Sequence, residues 1–177
     1  MTRREIFRQS ALHAGAVWAA LAQTHQHPDA PPPAGGLKFL TPEQAREVEA
    51  VAAQIIPTDD TPGAREAGVI RFIDLNLAVY EKEAQPVYAQ GLKTLAEKSG
   101  GRFSELPSAR QIEVLRSLEK NPFFGLVRGH TIAGFLSHPQ YGGNRDKMGW
   151  KAIGFEDNFT FHPPFGFYDG PEGRNQP

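Results

Sequence analysis

Cysteine is absent from all 177 residues, and that absence removes several functions at once. A c-type haem needs Cys-x-x-Cys-His, iron–sulfur clusters need thiolates, and Cys-built zinc sites need the same group. A disulfide, within the chain or to a partner, is excluded too, so a domain of this size must rest on its apolar core. Blocks of one charge sign are also lacking: 19 Lys and Arg stand against 20 Asp and Glu, a formal net charge of −1. Nucleic acids and anionic membrane surfaces are bound through basic footprints, so neither is an expected partner. No Gly-x-Ser-x-Gly elbow, phosphate loop or Gly-x-Gly-x-x-Gly turn occurs, which removes the common signatures of acyl transfer and nucleotide binding.

What is there begins at the N-terminus. Arg3 and Arg4, followed by Phe7 and Arg8, precede the apolar run Ser10 to Ala22, which ends in Ala20-Leu21-Ala22. A twin arginine, a modest apolar stretch and an Ala-x-Ala end read as a signal for the twin-arginine translocase, over residues 1–22. The run falls short of the roughly 20 residues that span a bilayer. The competing reading is an ordinary amphipathic helix at a cytosolic N-terminus; the order basic, apolar, small favours export, with cleavage expected after Ala22. Loss of that segment takes Arg3, Arg4, Arg8 and one acid, Glu5, and leaves a more negative chain.

Residues 23–36 read as a linker, with Pro31, Pro32 and Pro33 giving a stiff piece and Gly35-Gly36 a flexible one. The remaining pattern predicts an all-α fold, a compact bundle of about five helices over residues 37–156. Thr41-Pro42-Glu43-Gln44 is a capping box with proline in the first turn, ahead of Val48, Val51, Ala52, Ile55 and Ile56. Pro57 to Ala64 is loop. A second helix is expected from about Ala64 to Tyr80, and a third from Pro86 to the stop at Gly100-Gly101. A fourth is expected with Ser108 as cap and Ile112, Leu115 and Leu118 inward. The fifth spans Pro122 to Ser137 and carries Gly125, Gly129 and Ala133 at helical spacing, plus Gly134. Glycine costs about 1 kcal/mol relative to Ala inside a helix. Close approach of another backbone along that stripe is the expected compensation, in a central, mostly buried helix.

From Pro139 the composition changes. These residues hold seven of the 18 glycines, five of the 15 prolines and eight of the 18 aromatic residues. Disordered tails avoid aromatics, so this irregular segment, continuing into an aromatic tail over 157–177, has to bury them on its own helices or on another chain.

Candidates for chemistry are few. Asp59-Asp60 could pair on a metal or serve in acid–base work, but adjacent acids in a Thr/Pro/Gly loop are more often turn formers. His130 shares a helical face with Phe123 and Val127 and reads as a core histidine bonded to backbone. His138 and His162 match no zinc spacing, and Asn144-Arg145-Asp146 lacks the rest of a calcium loop. No catalytic, cofactor-binding or metal-ligating residue is assigned.

Two segments together resemble the gluconate 2-dehydrogenase subunit 3 family. One is Ile55-Ile56-Pro57-Thr58-Asp59-Asp60-Thr61-Pro62-Gly63-Ala64, with Gly68-Val69 and Phe72-Ile73-Asp74 behind it. The other is Gly134-Phe135-Leu136-Ser137-His138-Pro139-Gln140-Tyr141-Gly142-Gly143-Asn144, with Gly149-Trp150 through Gly154. The resemblance implies a small, non-catalytic subunit of a periplasmic dehydrogenase, membrane-associated through its complex. Its flavoprotein large subunit oxidises a sugar or sugar acid with FAD, and a multihaem cytochrome c takes the electrons, so FAD and haem c are expected on partners. The signal-bearing small subunit would carry the flavoprotein through the translocase, with Arg3 and Arg4 as targeting residues. Tyr141, Gly142, Gly143, Asn144, Trp150, Phe155, Phe159 and Phe161 are the expected partner interface, though the aromatics could equally serve their own core. Two other readings compete: an exported metal-dependent hydrolase using Asp59, Asp60, His130 or His138, and a free-standing helical binding protein.

Overall fold

Thr41 starts the first helix as its neighbours predict. In the computed structural model, which describes residues 36–158 and Thr160, α1 runs over Pro42–Ile55. The Thr41 hydroxyl accepts from the Gln44 amide at 3.2 Å, and the Gln44 side chain accepts from the Thr41 amide at 3.0 Å. The apolar stripe then buries Val48 and Val51 completely, each such side chain contributing about 1.5–3 kcal/mol of transfer free energy. Arg3, Arg4, Phe159 and Phe161 lie outside the described residues, as does the linker ahead of Gly36.

The second helix begins later than its apolar spacing predicts. Ala64 sends its amide back to the Ile56 carbonyl at 2.9 Å, and Ala67 bonds to Gly63 at 3.1 Å, which closes residues 64–68 into turns. Gly68 then takes a left-handed conformation (φ +68°), and α2 spans only Val69–Leu75. It passes directly into a π-helical turn, Asn76–Tyr80, in which the Glu81 amide reaches back to the Asn76 carbonyl at 2.8 Å.

A short 3-10 turn (Lys82–Ala84) leads into α3, Gln85–Ser99, which stops at Gly100. Phe103–Glu105 makes another 3-10 turn before α4, Ser108–Ser117. Ser108 is the first residue of α4 and not its cap; Pro107 holds that position. The Ser108 and Gln111 side chains instead engage Gln54 of α1, whose amide donates to Gln111 at 2.6 Å and to Ser108 at 3.3 Å. This tie rotates α4 so that Val114 is buried and Ile112, expected inside, is 40% exposed.

Helix α5, Pro122–Leu136, is capped by the Asn121 side chain on the Phe123 amide at 2.9 Å. It touches α1, α2, α3 and the last helix, so its central position is as expected. The small-residue stripe behaves otherwise: Gly125, Gly129 and Ala133 face outward, and a Cβ at Gly125 or Gly129 would meet nothing within 4 Å. Gly134 on the opposite side is the glycine that takes the close approach, against Phe72. Two 3-10 turns, Pro139–Tyr141 and Arg145–Lys147, and a short α6, Met148–Ala152, complete the chain described. The described residues form six α-helices and no strands. The fold class stands as expected, with α6 as an addition inside the segment read as irregular. No described helix is long and apolar enough to cross a membrane.

Candidate partner interface

Most of the residues weighed for chemistry are occupied by structure; His162 lies outside the described residues. His130 is buried, as its helical face predicts, but its partners are side chains and not backbone. Nδ1 lies 2.8 Å from the Tyr88 hydroxyl and Nε2 lies 2.9 Å from a Glu81 carboxylate oxygen, with the Asn76 amide 3.4 Å from the same nitrogen. A neutral ring with its hydrogen on Nε2 satisfies the pair: it donates to Glu81 and accepts from Tyr88. The Asn76 amide and then His130 hold the Glu81 carboxyl below its ordinary value. Burial, with the Glu81 charge behind it, pushes the Tyr88 phenol up, so it stays protonated. Tyr88 also meets Phe123 edge-on at 5.5 Å, locking α3 to α5.

Asp59 shapes its loop by accepting from the Thr61 amide and hydroxyl at 2.8 and 2.9 Å. Those bonds hold its carboxyl below the usual range. Asp60 is exposed beside it. His138 caps its own 3-10 turn through the Gln140 amide. Among the described residues, no group of three or more His, Asp or Glu side chains converges where a metal could be held.

Asp74, quoted above only within a motif, proves to be a structural centre. It is 3% exposed on α2, and its carboxylate accepts the backbone amides of Lys38, Phe39 and Leu40 at 2.6, 2.9 and 2.8 Å. Three consecutive N–H groups on one carboxylate fix the place where the chain enters the domain. An acid on the inward side of an otherwise apolar helical pattern is the signal that could have found it, because a buried carboxylate must be paid for with several donors.

The aromatic C-terminal segment is built around the end of α5. The last carbonyls of a helix lack internal partners. Here the Trp150 indole donates to the Leu136 carbonyl at 2.6 Å, and the Asn144 amide donates to the Ser137 carbonyl at 2.9 Å. Asn144 is fully buried and left-handed (φ 47°); its side-chain oxygen accepts from the Gly149 amide at 2.8 Å. Gly143 and Gly149 allow the chain to lie flat on that helix end. A Cβ would stand 2.1 Å from the Gly134 carbonyl oxygen in the first case and 1.8 Å from that of Phe135 in the second. Gly142 is buried against the backbone of Arg71.

The expected interface residues therefore divide. Gly142, Gly143 and Asn144 are turned into their own domain and shape the loop. Tyr141 and Phe155 are exposed by 41% and 51%, and Trp150 is half-buried between His138 and Phe155, edge-on to both. Phe159 and Phe161 lie outside the described residues. Sequence reasoning missed the far side of this corner: the π turn pushes Val79 and Tyr80 outward, 48% and 61% exposed. Phe72, Leu75, Tyr80, Ser137 and Tyr141 line a groove of about 310 Å³ there. An extra residue in a helical turn re-aims side chains in this way, and apolar spacing alone does not reveal it.

With this geometry in hand, residues 42–157 match the family model for gluconate 2-dehydrogenase subunit 3. Neither the curated proteins nor the solved structures contain a match to the chain.

Proposed function

The chain belongs to the gluconate 2-dehydrogenase subunit 3 family, and on that premise we propose that it is the non-catalytic small subunit of a periplasmic FAD-dependent sugar or sugar-acid dehydrogenase. In this reading it carries the flavoprotein subunit through the twin-arginine translocase and stays with it, while FAD and haem c reside on the partners. The observation that carries the reading is the family match across the domain from α1 to beyond α6. Two features support it. The acid and imidazole groups with catalytic potential, Glu81, His130 and Asp59, are committed to hydrogen bonds that hold the fold. The corner made by Tyr80, Tyr141, Trp150 and Phe155 offers the exposed aromatic surface on which protein interfaces centre. Arg3 and Arg4 serve the translocase, and Phe159 and Phe161, outside the described residues, belong to the same partner interface.

The test is co-expression with a flavoprotein large subunit of such a dehydrogenase. Active flavoprotein should reach the periplasm with the native chain, and the doubly substituted Arg3→Lys, Arg4→Lys chain should strand both proteins in the cytoplasm. Full periplasmic activity in the absence of this chain, or sugar oxidation by this chain purified alone, would overturn the proposal.

A further inference from the structure

The π turn after α2 sets three side chains in line. Arg71 and Leu75 stand four residues apart on α2 and share a side, and Tyr80 follows Leu75 by five. In a regular α-helix a residue five places on points elsewhere. In a turn closed by i→i+5 bonds, such as that from the Glu81 amide to the Asn76 carbonyl, it stands nearly above its predecessor. Leu75 is the wall common to two hollows, and Gly142 lines the first while Tyr141 lines the second, so the two adjoin. The first, of about 390 Å³, has Ala45, Ile70 and Leu75 as apolar surface and Lys38, Arg46 and Arg71 as cations. Its two acids are engaged: Asp74 holds three backbone amides, and Glu49 lies 4.0 Å from Arg65. Arg46 reaches Glu43 at 3.2 Å. The side chains of Lys38 and Arg71, both exposed, make no hydrogen bond or ion pair among the described residues. The second hollow is the groove of about 310 Å³ lined by Tyr80 and Tyr141. The Ser137 hydroxyl in its lining is buried and has no hydrogen-bond partner among the described residues.

We propose that this trough takes an extended peptide segment of a partner protein, with an acidic side chain beside Lys38 and Arg71 and an aromatic one, about four residues along, against Tyr80 and Tyr141. Three observations select this occupant. The first is charge, since two cations without partners call for a carboxylate, which the planar fork of Arg71 matches in shape. The second is spacing. Arg71 and Tyr80 lie about 13 Å apart along the helix axis at 1.5 Å per residue. That is the reach of about four extended residues at 3.3 Å each, and residues i and i+4 of an extended chain project from the same face. The third is the Ser137 hydroxyl. An extended backbone brings free carbonyls, the acceptor this donor lacks, whereas a lipid tail brings none. The Tyr80 and Tyr141 side chains, 61% and 41% exposed, offer an incoming ring stacked or edge-on contact. Only the identity of the partner, the flavoprotein subunit, rests on the reading above.

The probe is the peptide acetyl-Ser-Asp-Ser-Thr-Ser-Phe-Ser-amide, titrated into the isotopically labelled full-length chain and followed by NMR. The amide signals of Arg71, Leu75, Tyr80 and Tyr141 should shift together, with a Kd of about 1 mM. Replacing the peptide's Asp by Lys, or moving it next to the Phe, should weaken binding about tenfold. The exposed-site variant Arg71→Glu should keep the native Tm, reverse the preference and take the Lys peptide over the Asp one. The same reversal at Arg128 on α5 should leave the preference as it was. Silence at those four amides up to about 5 mM peptide, equal binding of the Asp and Lys peptides or of the two spacings, or an unreversed preference in Arg71→Glu would each overturn the proposal. Binding to phosphatidylglycerol vesicles in place of the peptide would overturn it in favour of a membrane surface. A chain that binds the peptide as expected but captures no flavoprotein refutes the export reading alone.

Discussion

Replacing Asp74 with Asn tests the link between the core and the start of the domain. The side chain keeps its size, so packing on α2 is unchanged, and the effect comes from charge and donor–acceptor pattern. One carboxylate oxygen accepts from Phe39 and Leu40, and the other accepts from Lys38. An amide oxygen can retain the first pair as neutral bonds. Charge-assisted bonds contribute about 1.5–3 kcal/mol and neutral ones about 0.5–1.5, so the two weakened bonds lose about 1 kcal/mol each. The amide NH₂ then faces the Lys38 N–H, and that bond is lost. It is only part-buried, so water recovers some of it, and the total cost is about 3 kcal/mol. For a domain of this size that lowers Tm by about 10 °C. Urea and thermal unfolding measure the stability, and hydrogen exchange at the Lys38, Phe39 and Leu40 amides locates the loss. A destabilisation below about 1 kcal/mol, the size of a single ordinary contact, or unchanged protection at those amides would refute the argument.

Three further outcomes follow from the same structure. Gly143→Ala sets a methyl against the Gly134 carbonyl, a backbone atom that cannot swing away; overpacking of this kind costs about 1–3 kcal/mol, read as a drop in the urea midpoint with weaker partner capture. Glu81 has its carboxyl held below its ordinary value of 4.5, so its stabilisation is fully present above that pH and is lost as pH falls through the folded value. Glu81→Gln should therefore flatten this part of the acid limb of a stability-against-pH curve, and an unchanged limb would count against the His130–Glu81 tie. Tyr141→Lys combined with Phe155→Lys should abolish capture of the flavoprotein at unchanged Tm, since both side chains are exposed; a loss of Tm would assign them to the fold instead.

Local signals in the sequence were read well where one or two neighbouring residues decide the outcome. The Thr41 and Gln44 box, proline in the first turn of α1, α3 and α5, and the stop at Gly100 are all present. The burial of His130 followed from its spacing to Phe123 and Val127 on one helical face. What was not legible depends on distant partners. Apolar spacing shows that Ile112 and Val114 lie on different sides of α4, but the Gln54 tie from α1 chooses which side turns inward. The stripe of Gly125 and Gly129 looks the same in sequence whether a backbone lies against it or nothing does. The late start of α2 depends on the Ala64 amide returning to the Ile56 carbonyl, a turn that apolar spacing does not encode. At the candidate interface the aromatics themselves were visible. Their separation into an outward group and a buried loop-shaping group was not, because it is set by the carbonyls at the end of α5.

Those carbonyls have one more effect. A helix terminus normally wears a small coat of water, and covering it with a greasy surface means stripping that coat. Here the indole of Trp150 and the carboxamide of Asn144 already stand in for the solvent at Leu136 and Ser137. Those two carbonyls thus hold protein donors before anything arrives, and a large apolar companion can settle over them without stripping water from either.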